Sequence, residues 1–101
     1  MPPVWTSLVA AAALVKDGDL LALGGHTRHA PMALIRELAR QGRRDLGLVT
    51  VPTGGLNVDL AIGARMVSRL HFAQVALEEF GLAPNFRRAV QEGRLTCFEY
   101  P

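Results

Sequence analysis

The 101-residue sequence contains a single cysteine, Cys97. That excludes an internal disulfide and suits a reducing compartment, so a cytoplasmic protein is expected. Cys97 falls within an apolar run and reads as a small buried hydrophobe. Aromatic residues make up only 6% of the chain, and the formal net charge is only +2. Apart from Arg43-Arg44 and Arg87-Arg88, the basic residues are dispersed. No basic run is interleaved with aromatics, which argues against nucleic acid as a partner. The apolar stretch over residues 8–15 is closed by Lys16-Asp17, and Met1-Pro2-Pro3-Val4-Trp5 brings no basic cluster. Neither a signal peptide nor a membrane span is expected. Tandem repeats, low-complexity segments and linkers are missing as well. Gly24-Gly25-His26 lacks the further glycines of a dinucleotide fingerprint, and no glycine-lysine-serine/threonine phosphate loop occurs.

What is present is globular in composition: 50% hydrophobic and 20% charged residues. The length suits one domain over residues 1–101. So short a chain buries a smaller fraction of its surface than a larger domain, so part of its apolar surface is expected at an interface.

The order of elements is repetitive in kind. Thr6 or Ser7 caps a helix to about Val15, Asp17-Gly18-Asp19 turns, and Leu20-Leu21-Ala22-Leu23 is a continuously apolar strand ended by Gly24-Gly25. Pro31 stands at the first position of a helix with Met32, Leu34, Ile35 and Leu38 on one face, stopped by Gly42. A second strand covers residues 46–51 and leads into Pro52-Thr53-Gly54-Gly55. Asn57 is placed to cap a short helix ending at Gly63, with Asp59 in its first turn. A third strand lies within residues 67–77, Glu78-Glu79-Phe80-Gly81 interrupts, Pro84 opens a helix to Gly93, and residues 95–100 form a fourth strand. Strands alternating with helices predict an α/β fold with a parallel sheet and right-handed crossovers. A parallel strand at the sequence's end calls for a neighbour, so this reads as the N-terminal portion of a larger unit or as a chain whose edge another chain covers.

Ligands of open parallel sheets bind beyond the carboxyl ends of the strands. Three segments reach that edge: Gly24 to His29, Pro52 to Asn57, and Glu78 to Gly81. Glycine permits close backbone approach, and unpaired N–H groups attract negative oxygen. The two glycine pairs therefore suit a phosphate, a carboxylate or a developing oxyanion; equally, they serve as tight turns. His26 and His29, with Glu78 or Glu79, are conceivable metal ligands, but no complete zinc set is defined and no metal is expected. The commoner role is a polar loop touching substrate or partner, in which Arg28 pairs with a carboxylate. Glu78 and Glu79 are catalytic candidates or a solvated or interface pair. His71, mid-strand, reads as structural, and Ser68 has no base near it in sequence.

Beyond single motifs, Asp17-Gly18-Asp19-Leu20-Leu21-Ala22-Leu23-Gly24-Gly25 resembles the alpha-subunit signature of family I coenzyme A-transferases. The stretch from Arg28 to Leu38 is similar to the Arg-x-x-Pro-Met-Ala-Leu segment of glutaconate-type alpha subunits. Arg44-Asp45-Leu46, Gly54-Gly55-Leu56-Asn57-Val58-Asp59 and Glu78 to Ala89 extend the likeness over residues 8–100. His26 departs from the phenylalanine that follows the glycine pair, and Ala30 departs from the Gly-x-Pro ending. Alpha subunits of the family are more than twice as long, so the resemblance covers their N-terminal part. It implies the fold shared by NagB, RpiA and CoA-transferases, in an incomplete N-terminal portion. It also implies the non-nucleophile subunit of a cytoplasmic hetero-oligomer moving CoA between an acyl-CoA and a carboxylic acid. The resemblance implies that the nucleophilic glutamate lies on the partner, the beta subunit; the serine-glutamate-asparagine-glycine motif that bears it is absent from this sequence. No permanently bound cofactor is implied, CoA and acyl-CoA being substrates. By position, Gly24 and Gly25 inherit an oxyanion role, and no residue of this chain is a catalytic nucleophile. The expected substrate-binding residues are His26, Arg28, His29, Thr53, Gly54, Gly55 and Glu79. An acyl-CoA hydrolase or lyase of the same superfamily, and a non-catalytic truncated binding module, stand as alternatives.

Overall fold

The computed structural model describes residues 4–25, 29–51, 53–77 and 81–100. Ser7 opens the first helix, α1 (Leu8–Ala12), its hydroxyl accepting the Ala10 N–H at 3.1 Å. Then come β1 (Leu20–Leu23), α2 (Met32–Arg40), β2 (Leu46–Thr50), β3 (Thr53–Gly54), α3 (Leu56–Gly63), β4 (Val67–Phe72), β5 (Gln74–Val75), α4 (Pro84–Gln91) and β6 (Thr96–Glu99). β1, β2, β4 and β6 form a four-stranded sheet in that order with every pairing parallel. The parallel α/β fold expected from the alternation of elements is the fold observed.

The sheet grows in one direction, each strand joining beyond the last. Right-handed crossovers then place successive helices on the same face. The core confirms this: Ala12, Ile35, Leu38, Val58, Ala61, Ile62 and Ala89, from all four helices, join Leu23, Leu46, Leu48, Leu70 and Phe72 in one cluster. Strand residues of opposite parity face away from it. Ala22, Val49, His71 and Phe98 form a row across that other face, with Leu20 59% and Phe98 41% exposed. Parallel sheets are ordinarily covered on both faces, and among the described residues no helix covers this one. His71 is structural on this face: its ring stacks on Phe98 at 4.5 Å between centroids, and Nδ1 lies 3.0 Å from the Tyr100 hydroxyl.

Helix ends follow the sequence signals with one substitution. Gly42 and Gly93 take positive φ just past α2 and α4. In each, the next residue's N–H returns to the helix, Arg43 to Leu38 and Arg94 to Ala89, the double closure that favours glycine. α3 closes the same way, but with Arg65 (φ 63) in the glycine position and Met66 N–H reaching Ala61.

Several boundaries differ from expectation. α1 ends at Ala12 rather than near Val15. Pro31 is the N-cap of α2, not its first helical residue. The third strand is two: Ala73 breaks it, and β5 leaves the main sheet to pair in parallel with β3. Nothing in the apolar content of residues 67–77 marks that departure, which depends on β3 being available as a partner. Among the described residues, no helix is long and apolar enough to cross a membrane.

Candidate functional site

Register places the two glycine pairs together. Leu23 at the end of β1 pairs with Thr50 at the end of β2, so Gly24-Gly25 and the segment after Thr50 leave the same carboxyl edge. Gly54 stays close to that edge, since a Cβ placed on it would lie 3.5 Å from Thr50 Oγ1 and 3.2 Å from Val58 Cγ2. Its carbonyl accepts the Ala76 N–H at 3.0 Å, and Ala76 bridges to Leu82. The segment after β4 thus joins the same edge.

Gly25 is required by geometry. Its φ is +82, and a Cβ there would stand 2.5 Å from the His29 carbonyl oxygen and 2.7 Å from the Ala30 nitrogen. The backbone at residues 29 and 30 stands against Gly25, and no side chain fits there. Gly24 has open space around it. His29 is exposed and takes positive φ (59), Thr53 is half-buried in β3, and Gly54 and Gly55 are buried. His26, Arg28, Pro52, Glu78, Glu79 and Phe80 lie outside the described residues.

α3 starts at this edge without a side-chain cap. Its N-cap is Gly55, so the expectation that Asn57 caps the helix is corrected. Asn57 instead sits one residue inside the first turn. It is fully buried, and among the described residues neither Nδ2 nor Oδ1 has a hydrogen-bond partner. An unpaired buried amide costs about 1–3 kcal/mol, so among the described residues Asn57 is a polar group at this edge whose burial is uncompensated. The signal for it was a lone amide in the otherwise apolar first turn of Leu56-Asn57-Val58, which also fits a cap. Asp59 does not act through its own helix's first turn alone. Its carboxylate accepts the N–H groups of Asn85 (3.3 Å) and Phe86 (2.8 Å), fixing the start of α4.

The remaining candidates lie away from the glycine loops. Ser68 donates to Asp45 Oδ1 at 2.5 Å at the opposite, amino end of the sheet, where Asp45 leads into β2. Cys97 is half-buried in β6; burial, then the nearby Glu99 carboxylate, pushes its thiol pKa up, which suits an unreactive core residue. Glycine loops leaving the carboxyl edge of a parallel sheet define the class of site in which ligands of such sheets bind.

Comparison with known proteins specifies the class. The family model for coenzyme A transferase matches residues 5–101. The A-type, or alpha, subunit of the 3-oxoadipate CoA-transferase of Pseudomonas knackmussii is 38% identical over 93 residues, which are 92% of this chain and 33% of that protein. A crystal structure of a variant of the decarboxylase AibA/AibB superposes with a TM-score of 0.85 at 34% identity, covering 97% of this chain and 38% of that one. Glutaconate coenzyme A-transferase from Acidaminococcus fermentans superposes with a TM-score of 0.82 at 31% identity, covering 94% of this chain and 31% of that one. The chain belongs to the coenzyme A-transferase family, within its alpha-subunit branch. It spans about a third of the length of these relatives.

Proposed function

We propose that this chain is the N-terminal part of the alpha subunit of a heteromeric CoA-transferase, which moves CoA from an acyl-CoA to a carboxylic acid. The observation that carries this reading is the meeting of Gly24-Gly25 and Gly54-Gly55 at one carboxyl edge, in a chain of this family. The nucleophile is a glutamate of the beta subunit, which attacks the thioester carbonyl. The C–S bond breaks, CoA leaves as thiolate, and a mixed anhydride remains. The thiolate then attacks the glutamyl carbonyl of the anhydride, releasing the first carboxylate and leaving a glutamyl-CoA thioester. The acceptor carboxylate repeats the two steps in reverse and departs as the new acyl-CoA. Splitting the exchange into covalent steps lowers each barrier.

Every step passes through a tetrahedral centre bearing negative oxygen. Backbone N–H groups at the Gly24-Gly25 turn stabilise that oxygen without reorganisation. His26, Arg28, His29, Thr53, Gly54, Gly55 and Glu79 line the approach of acyl group and acceptor, with Arg28 suited to a carboxylate. The reaction needs no resident cofactor, and a cytoplasmic hetero-oligomer with the beta subunit is its setting.

A second reading is favoured by one observation: the neighbour with TM-score 0.85 is a decarboxylase. The same loops would then hold an acyl-CoA whose carboxylate leaves as carbon dioxide. Co-purification with the beta subunit, followed by assay of CoA exchange and carbon dioxide release, separates the two. Exchange dependent on an acceptor acid, with a borohydride-reducible thioester on the partner, is expected. Carbon dioxide release with no exchange would replace the transferase by the lyase. Gly25→Val is expected to abolish exchange while the two chains still assemble; normal turnover would remove the oxyanion role.

A further inference from the structure

α3 begins at the carboxyl edge with its positive end unmatched. Its N-cap, Gly55, has no side chain to offer. Among the described residues the N–H groups of Leu56, Asn57 and Val58 have no backbone acceptor, and Asp59 N–H is the first to close a turn, onto the Gly55 carbonyl. Asp59 is the acidic residue of that first turn, but its carboxylate is engaged by α4, accepting from Asn85 and Phe86. The partial positive charge at the start of α3 is left without an anion.

An exposed helix start is ordinarily satisfied by water; Asn57 sets this one apart. Its side chain is 0% exposed, and neither amide atom has a partner among the described residues. Helical Cα–Cβ bonds tilt toward the helix N-terminus, so a first-turn side chain projects toward the helix start. Its neighbour Leu56 is 56% exposed, so the turn borders the surface on one side. Main-chain and side-chain N–H donors at one helix start suit a carboxylate. Packing ties this turn to the Gly24-Gly25 loop. Leu23 pairs with Thr50, and a Cβ on Gly54 would lie 3.5 Å from Thr50 Oγ1 and 3.2 Å from Val58 Cγ2, in the first turn of α3. One strand spacing of about 4.8 Å and two side-chain contacts therefore connect them, a span suited to a short-chain acid. Gly24-Gly25 serves the reacting carbonyl in the transferase reading, which leaves the donors of α3 for a second carboxylate.

We propose that the start of α3, through the Asn57 Nδ2 amide and the N–H groups of its first turn, binds the non-reacting carboxylate of a dicarboxylic substrate, which makes Asn57 a specificity-determining residue. The proposal rests on the CoA-transferase reading above for its substrate, and its test separates the two. The protein assembled with the beta subunit is assayed for CoA transfer to succinate, glutarate and adipate. Butyrate, pentanoate and hexanoate, which end in a methyl where the diacids carry the second carboxylate, serve as matched acceptors. The wild type is expected to favour a diacid over its matching monoacid by at least about tenfold in kcat/KM. Asn57→Ala, which removes the side-chain donor, should lower that ratio severalfold. Asn57→Asp, of the same size, places its own carboxylate among the donors and should lower it further, by at least about tenfold. The ratio compares two acceptors in one sample, so partial loss of folding does not move it, nor does a purely structural role for Asn57. No diacid preference in the wild type, or one ratio shared by the wild type and both variants, would overturn the site while leaving the transferase intact. In a protein that exchanges no CoA, calorimetric titration with the same diacids reads the site directly. Binding weakened in both variants would then retain the carboxylate site and reject the transferase, and equal or absent binding would overturn both.

Discussion

The Asp59 carboxylate, on α3, accepts the backbone N–H of Phe86 on α4 at 2.8 Å. One carboxylate thereby caps a neighbouring helix, taking the Asn85 N–H and side-chain amide as well, at 3.3 and 3.1 Å. α4 has no cap of its own, and its first residue, Pro84, has no N–H to satisfy. α3 and α4 are thus locked where the segment from β5 returns beside the glycine edge.

Removing that carboxylate leaves N–H groups at the start of α4 without their acceptor. Asp59 is only 2% exposed, so water does not readily replace it. Asp59→Ala is expected to cost about 2–3 kcal/mol, the range for losing a charge-assisted cap and leaving donors unpaired. Asp59→Asn keeps one acceptor oxygen and should cost less. Denaturant unfolding of the two variants checks the order; equal losses would show that packing, rather than capping, dominates.

Gly25 and Gly24 should respond oppositely to the same change. Gly25→Ala forces a side chain into positive φ and into the His29–Ala30 backbone, whereas a Cβ on Gly24 meets nothing. Gly24→Ala is expected to unfold like the wild type, and Gly25→Ala to lose at least about 1–2 kcal/mol, the cost of left-handed backbone before the clash is added. Thermal unfolding of the pair decides it, and indistinguishable midpoints would mean the loop relaxes freely.

Glu37 ties the first two helices together. Its carboxylate accepts from Gln41 Nε2 at 3.0 Å and Arg40 Nη1 at 2.7 Å, while Gln41 also donates to the Val9 carbonyl on α1. The Gln41 hydrogen bond, then the Arg40 guanidinium, holds the Glu37 pKa below its ordinary value. A carboxylate with a depressed folded-state pKa stabilises fully above its unfolded pKa, and that contribution fades as pH falls through the folded value. Glu37→Gln should therefore lower the melting temperature at neutral pH, with the gap from the wild type closing below the usual glutamate range. A gap independent of pH would assign the effect to packing.

What the sequence made legible was what local chemistry decides. Ser7, Gly42, Pro84 and Gly93 marked helix ends because capping and positive φ are properties of single residues. Leu20 to Leu23 and Leu46 to Leu48 marked strands because a continuous apolar run has few other uses. The glycine pairs were placed at one edge by parallel topology alone. Asp59 stands in the first turn of α3 as expected, but its second role, capping α4, was hidden because it depends on a residue 26 positions away. Asn57 was misjudged because a cap is the local role open to it, while the structure buries it inside the first turn. The split of β4 from β5 was equally hidden, because β5 exists only through pairing with β3. The helix-free sheet face could not be told from a two-sided core, since Val49 and Leu48 look alike in sequence and differ only in which way the strand turns them.

Arg65 offers a test of the helix-closure rule within one chain. Three helices end in the same doubled hydrogen bond, with Gly42, Arg65 and Gly93 in the left-handed position at φ 74, 63 and 71. Only Arg65 carries a Cβ there, which costs about 1–2 kcal/mol relative to ordinary backbone. Its side chain is exposed, and neither a hydrogen bond nor an ion pair holds it among the described residues. Arg65→Gly should therefore raise stability by about 0.5–1 kcal/mol, because glycine's greater freedom in the unfolded chain offsets part of the relief. Gly93→Arg, the reverse exchange at a matching site, should lower stability by a similar amount. Paired denaturant titrations measure both, and stabilisation by neither glycine would show that Arg65 holds the α3–β4 junction through its side chain rather than merely tolerating its backbone.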